Sequence, residues 1–554
     1  MHKIILFFLL LISALSVYAQ NEYAEQIDNF FKKAEANNFS GNVLVAHEGK
    51  IILKEGYGWK DRETEMSEDG NSVFNIGSIT KQFTGAAILK LEMMGKLNTT
   101  DLLSKYFPEI PADKNNITLH HLLTHAAGLP GALGDDFEQI SAEDFMKLVF
   151  SEVLLFPPGE MYEYSNVGFS ILGILVEKLS GKSYEQFLHD EIFAPAGMMY
   201  TGYIIPQFNP NTLSVSYFED GERWGTMSER FNGISPGWHL KANGGILSTL
   251  SDMYNWTIAL EGEKILNKAA KEKYFTPHVK EYPDGDTYYG SGWVIMDSPE
   301  GKMIWHNGGN GVSVSTFMGF NQETKTCVIV NVNVGGKISD DYALKTYNIL
   351  RGINAIPDPQ MMLDHSGNYI LDNKAKIQVI FDEFDRLTIQ FNSNEAFNIL
   401  LLDGTEKLET VEMYTTKTTN MINGLFSGNY GVIADAWDTA PEKFANGPGQ
   451  MWKETAMENG GFVNVEILGS AARNQMQAYI TLAKINFMES SVYMMYVWKD
   501  QKLRDARELK QPDKIFDWEN NNIFSAPNNN KKVILEKGTL KIVSEMGVTV
   551  AIKD

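Results

Sequence analysis

A single cysteine, Cys327, occurs in the 554 residues, so no disulfide can form within the chain. That thiol lies in the apolar stretch Thr326 to Val332, which reads as a buried strand; Cys327 is therefore expected to be a core residue rather than a nucleophile. Cysteines and histidines do not gather at zinc-ligand spacing, and neither a metal nor another cofactor is expected. Basic residues are in deficit, 48 Lys and Arg against 70 Asp and Glu, for a formal net charge of -22. A surface so acidic repels phosphate backbones and anionic lipid, which argues against nucleic acid as a partner. Beyond the N-terminus no apolar run is long enough to span a bilayer. Internal repeats and low-complexity tracts are missing too.

What is present begins at the N-terminus. Met1-His2-Lys3 is a short basic start, Ile4 to Ile12 is apolar, and Ser13 to Ala19 turns to smaller residues ending Val17-Tyr18-Ala19. This is the pattern of a secretory signal peptide over residues 1–19, with cleavage expected after Ala19. No cysteine follows that site to carry a lipid. The mature protein is expected in the periplasm or secreted, with no membrane insertion after cleavage.

Residues 24–355 mix helical and strand patterns. Gly41 to Leu53 alternates around His47-Glu48-Gly49-Lys50 and predicts a hairpin. Phe83, Ala87, Leu91 and Met94 recur at helical spacing, and a second helical pattern runs from Val167 to Leu179 and stops at Gly181. Strand-like runs return at Gly292 to Met296, Val312 to Phe320 and Cys327 to Val334. Early strands, a helical middle and late strands predict an α+β domain whose sheet joins both ends of the segment. Ile356-Pro357-Asp358-Pro359 reads as a linker, because two prolines in four residues oppose helix and ladder alike. Beyond it, residues 356–410 are expected to form a small β unit. Residues 411–554 are expected to form an α+β region resembling an NTF2-like cone.

Three short elements carry chemistry. In Ser78-Ile79-Thr80-Lys81 the lysine falls one helical turn after a serine at a helix N-terminus, within reach of its hydroxyl. An unactivated serine needs an adjacent base, and a desolvated lysine can be that base. The Ser78 N–H at the helix start is aimed at any oxyanion formed there. In Tyr164-Ser165-Asn166 a phenol emerges from a Pro/Gly loop, Phe156-Pro157-Pro158-Gly159, just before a helix. A phenol beside a cationic lysine has its phenolate favoured and can pass a proton, and the Asn166 amide can hold a substrate amide. In His306-Asn307-Gly308-Gly309 two glycines on a strand let a substrate backbone approach, and the Gly309 N–H is a second oxyanion donor. Singly, these read as a capped helix, a packed tyrosine and a structural histidine; their conjunction in this order is what is specific.

The set resembles that of the serine β-lactamase/D,D-peptidase superfamily: Ser-x-x-Lys, then Tyr-x-Asn, then Lys/His-x-Gly. The likeness is to its class C-like branch of β-lactamases, D-aminopeptidases and esterases. Thr118 to Pro130, Lys96 to Pro108, Gly244 to Asp252 and Tyr289 to Trp293 support it, and it covers residues 24–355. It implies a β-lactamase/transpeptidase-like fold, an antiparallel sheet flanked by helices with a helical subdomain. It also implies Ser78 as nucleophile, Lys81 as base and Tyr164 as proton shuttle. Asn166, His306, Gly308 and Gly309 would line the substrate site, and His125 matches a position read as structural. His306 stands where many β-lactamases carry a lysine, and a neutral imidazole anchors a carboxylate less well, so penicillin turnover is expected to be weak. The expected activity is hydrolysis of a small peptide, amide or ester through an acyl-enzyme on Ser78. The alternative is a ligand-binding or sensory protein that uses a hydrolase scaffold with a C-terminal binding module.

Overall fold

The computed structural model describes residues 21–282, 285–298, 300–352, 359–372, 374–382, 384–402, 408–437, 448–473, 478–499, 501–509, 511–520, 522–526, 531–544 and 547–554. The expected signal peptide and most of the expected linker lie outside them. The chain divides into two units, Met1–Asn354 and Ala355–Asp554.

In the first unit, strands β1 (Gly41–His47) and β2 (Lys50–Tyr57) form the expected hairpin. Helices α1 (Thr80–Met93) and α2 (Asn166–Ser180) follow. The late strands are β3 (Val279–Lys280), β4 (Thr287–Tyr289), β5 (Val294–Ser298), β6 (Gly301–Gly309), β7 (Ser315–Asn321) and β8 (Thr326–Val332), before helix α3 (Ser339–Leu350). They build one eight-stranded sheet in the order β2-β1-β8-β7-β6-β5-β4-β3. The first strand pairs antiparallel with the last, Val43 opposite Val330, so the sheet joins both ends of the unit. Every residue of β8, Cys327 included, is buried, as a strand covered on both faces demands.

Helix α1 is sealed on nearly every side: each residue from Thr80 to Leu89 is buried. A helix so placed is apolar all round in the ordinary case. Here it carries Lys81, Gln82 and Thr84 inside the core, fully buried polar groups that need partners. Helix α2, buried from Val167 to Val176, packs directly against it. The two helices and the inner face of the sheet thus bring the starts of α1 and α2 to the end of β6.

The second unit contains β9 (Gly367–Leu371), β10 (Lys376–Phe381), β11 (Leu387–Phe391) and the helices α4 (Asn394–Leu401), α5 (Leu408–Ser427), α6 (Gly431–Trp437) and α7 (Pro448–Glu458). Next come β12 (Phe462–Arg473), β13 (Ala478–Phe487), β14 (Ser491–Lys499) and β15 (Lys502–Leu509), a four-stranded sheet in sequential order. The chain ends in β16 (Asp513–Asn520), β17 (Ile523–Ser525), β18 (Lys532–Glu536), β19 (Thr539–Ser544) and β20 (Gly547–Lys553). Strands β9 to β11 and β16 to β20 form a closed barrel in which β20 pairs back onto β9, Ile370 opposite Ile552. Residues of β14 alternate between two cores, as the strand period requires. Met494, Tyr496 and Trp498 pack with Tyr414, Ile422 and Leu425 of α5, while Met495 and Val497 join the barrel core with Phe397.

The boundary expected at residue 410 therefore does not separate two sheets. Strands on both sides of it close one barrel, and the layer of helices and four-stranded sheet is inserted between β11 and β16. The closing pairs join residues far apart in sequence, which local alternation cannot reveal.

Candidate active site

Ser78 lies on a single 3₁₀ turn, Gly77–Ile79, that leads into α1 rather than on the α-helix itself. Gly77 adopts φ +49°, and a Cβ built on it would stand 2.2 Å from the Gly309 nitrogen. A Cβ on Gly308 would in turn stand 2.3 Å from the Ile76 carbonyl oxygen and 2.8 Å from the Ser78 nitrogen. Glycine at both positions is what lets the end of β6 lie backbone to backbone against the serine turn. Thr316 of β7 pins the turn by donating to the Ile76 carbonyl at 3.1 Å, and the Asn75 side chain accepts from Gly77 N at 2.9 Å. The main-chain nitrogens of Ser78 and Gly309 are thereby brought to the same place.

Lys81, one turn on, has no exposed surface. Its Nζ lies 3.0 Å from Ser78 Oγ and donates to Asn166 Oδ1 and to the main-chain carbonyl of Asn243, each at 2.7 Å. Burial holds its pKa well below the ordinary lysine value, opposed only in part by Asp136. Neutral lysine has two N–H donors and one lone pair. The Asn166 and Asn243 oxygens can only accept, so they take both donors, and the lone pair is left for the Ser78 hydroxyl. This is the arrangement of a base poised on a serine.

Ser165 caps α2, its Oγ accepting from Gly168 N, so Tyr164 directly precedes the cap and Asn166 is the first residue of the helix. The Tyr164 ring centroid lies 4.7 Å from Lys81 Nζ. Sequence reasoning expected the lysine to favour the phenolate. Instead, burial raises the Tyr164 pKa, helped by the Glu281 carboxylate and opposed by a hydrogen-bonding interaction with Ser78. Burial thus disfavours the charged form of both the lysine and the phenol.

His306 stands beside Tyr164, ring centroids 6.3 Å apart, but its ring is turned into the fold and does not line the substrate site as expected. It is buried at 2% exposure, its Nδ1 donates to the Asn307 carbonyl at 2.5 Å, and its Nε2 accepts from the Tyr289 hydroxyl at 2.9 Å. Both nitrogens are spent inside the fold. Burial, with Lys81 nearby, pushes its pKa down to about 3, so the ring is neutral. Three participants stand outside the three catalytic motifs: the Asn243 carbonyl, Tyr289 behind His306, and the His125 ring, 4.3 Å from that of Tyr164. Among the described residues no three His, Cys, Asp or Glu gather where a metal ion could be held.

The profile of the family described as Beta-lactamase matches residues 27–352, more than half of the chain. The chain belongs to the beta-lactamase family. Its members are serine hydrolases, and the three motifs stand inside the matched stretch. Penicillin-binding protein 4* of Bacillus subtilis (strain 168) is 31% identical over 294 residues, which make up 50% of this chain and 64% of that protein, less than two thirds of its length. The octameric penicillin-binding protein homologue from Pyrococcus abyssi shares the fold at a TM-score of 0.57 and 18% identity, over 95% of this chain and 99% of that one. The D-amino acid amidase from Ochrobactrum anthropi, solved with D-phenylalanine, does so at 0.51 and 22%, over 60% of this chain and 99% of that one. The beta-lactamase family fold accounts for the first unit, and the Pyrococcus abyssi protein carries the likeness into the second.

Proposed function

We propose that this member of the beta-lactamase family hydrolyses amide or ester bonds of small substrates through an acyl-enzyme on Ser78. The observation that carries the reading is the bonding of Lys81, whose two obligate acceptors leave its lone pair for Ser78. In acylation the Ser78 proton passes to Lys81 as Oγ bonds to the substrate carbonyl carbon. The tetrahedral oxyanion sits between the Ser78 and Gly309 N–H groups. Collapse breaks the bond to the leaving amine or alcohol, which takes its proton through Tyr164, the Lys81 proton being returned along the same path. Water then attacks the ester in a reversal of these steps and releases the acid.

The substrate class follows from charge. A penicillin or a C-terminal peptide carboxylate needs a cation, and the residue at the lysine position is the buried, neutral His306. The charges near the reactive pair are instead carboxylates: Asp136, which acts on Lys81, and Glu281, which acts on Tyr164 and accepts from Tyr162 at 3.0 Å. That polarity favours substrates with a free amino group, such as D-aminoacyl amides or esters, over β-lactams. The contacts that Lys81 makes with Ser78 and Asn166 support hydrolysis over the alternative of a ligand-binding protein on a retired scaffold. The N-terminal sequence supports export, and the exported protein is expected to begin at Gln20 by intact mass.

A fluorophosphonate probe followed by intact mass tests the reading. Wild type is expected to take one adduct, Ser78→Ala none, and Lys81→Ala to react at least about 100-fold more slowly. An adduct that persists in Ser78→Ala, or none on wild type, overturns the proposal.

A further inference from the structure

The residue set aside as structural from sequence, His125, holds the main chain on both sides of Tyr164. Its carbonyl accepts from Glu163 N at 2.8 Å, and its ring Nδ1 accepts from Ser165 N at 3.0 Å. The two N–H groups flanking the phenol therefore end on one residue. The ring itself lies against that phenol, with centroids 4.3 Å apart, and against Tyr289 and Phe169 at 4.4 and 5.1 Å. His125 is buried at 1% exposure and sits at φ +56°, a backbone geometry that ordinary side chains avoid.

The chemistry of the ring says which atom matters. Nδ1 accepts, so the proton is on Nε2, and that N–H is buried with no hydrogen-bond partner among the described residues. A sealed, unpaired N–H is a cost, and a residue present only to fill space would not carry it. Burial, with Lys81 and His306 nearby, keeps the imidazole neutral and hence keeps Nδ1 an acceptor. Mechanical support of the tyrosine loop is what the imidazole supplies in return.

We propose that His125 is a positioning residue for acylation, which acts through Tyr164 by fixing both flanks of its main chain and one face of its ring. The inference rests on the acyl-enzyme reading above. It goes beyond that reading because His125 contacts Tyr164 and the residues on either side of it.

Asparagine tests it, because Asn Oδ1 occupies the place of His Nδ1 and asparagine tolerates positive φ. Full-length wild type, His125→Asn, His125→Leu, Tyr164→Phe and the His125→Leu/Tyr164→Phe double variant are compared for turnover of a small aminoacyl ester and for fluorophosphonate labelling. His125→Leu is expected to lose about 100-fold in kcat with KM changed by less than about threefold. His125→Asn is expected to recover to within about tenfold of wild type. In the Tyr164→Phe background, His125→Leu should cost no more than about threefold further. Should His125→Leu not fold, His125→Gln, whose amide reaches the Nε2 position instead, is expected to be slow where His125→Asn is fast. Equal rates for Asn and Gln, a His125→Leu protein as fast as wild type, or losses that multiply in full with Tyr164→Phe overturn the role. A wild type that takes no probe overturns the acyl-enzyme reading itself, and is told apart because those comparisons require a labelled wild type.

Discussion

Lys81 and Asn243 stand 162 positions apart in the chain, and the main-chain carbonyl of Asn243 accepts from the lysine Nζ at 2.7 Å. With Asn166 it takes up the donors of the amine, and so turns the remaining lone pair onto Ser78. The carbonyl is itself held from several sides. Ala242, at φ +73°, accepts at its oxygen from Thr84 Oγ1 at 2.6 Å and donates its N–H to the Tyr203 hydroxyl at 3.1 Å. That hydroxyl donates to the Gly244 carbonyl at 2.7 Å. One buried phenol thus ties both neighbours of Asn243.

Tyr203→Phe is expected to free that segment. It leaves a buried N–H and a carbonyl unpaired, for a stability loss of about 1–3 kcal/mol. The aim of the Asn243 carbonyl loosens with it, so acylation should slow by about tenfold, a smaller effect than removing a reacting group. Denaturant melts and probe-labelling rates check the two parts separately; unchanged labelling would mean that the Asn243 contact does not orient the lysine.

Asn166→Asp tests the neutral state of Lys81. A carboxylate placed 2.7 Å from Nζ favours the ammonium, so the lysine pKa rises from its depressed value. Lysine is a base only when deprotonated; the acid limb of the pH–rate profile should therefore move upward by about one to three pH units. The rate at neutral pH falls accordingly and recovers as pH rises, up to the alkaline limit set by the raised Tyr164 pKa. A rate lowered equally at every pH would contradict the assignment.

The three motifs were legible because each concentrates its chemistry in side chains a few residues apart on one local element. The Asn243 carbonyl was not, since a main-chain oxygen has no residue signature and only the tertiary fold brings it to Lys81. His306 was read with the right neighbour and the wrong orientation. The bond from Tyr289 that occupies its Nε2 joins two strands through residues 17 apart, and nothing in the motif announces it. In the second unit, the β10–β11 hairpin and the helix break at Gly428 follow from local pattern. Lys502–Leu509 and Asp513–Asn520 are strands despite a run of charges that hides alternation, and closure of the barrel depends on pairings with no local trace.

Cys327 offers a check on the core of the first unit. It is buried in β8, and burial pushes its thiol pKa up to about 12, so almost no thiolate exists at pH 8. A soluble thiol reagent should leave the native protein unlabelled and modify it once only, after denaturation, without reducing Ser78 labelling beforehand. Rapid native labelling would place this strand at the surface.

Glu68 gives the first unit a pH-dependent stability of calculable sign. Its side chain is buried at 6% exposure and accepts from Asp69 N at 2.9 Å and Ser214 Oγ at 2.8 Å. Desolvation nonetheless dominates and raises its pKa from 4.5 to about 7. Below about pH 4.5 both the folded and the unfolded carboxyl are protonated, and the group adds no pH dependence. Between about 4.5 and 7 the unfolded chain has released the proton that the folded chain keeps, so each step upward in pH favours unfolding. The loss levels off above 7, at about 3 kcal/mol for this group alone. Glu68→Gln keeps an acceptor oxygen and cannot ionise, so the variant should match wild type at pH 4.5 and exceed it at pH 8. Denaturant melts at the two pH values measure the difference directly. A wild type that gains stability relative to Glu68→Gln between pH 5 and 8 would mean that the hydrogen bonds, rather than burial, govern this carboxyl.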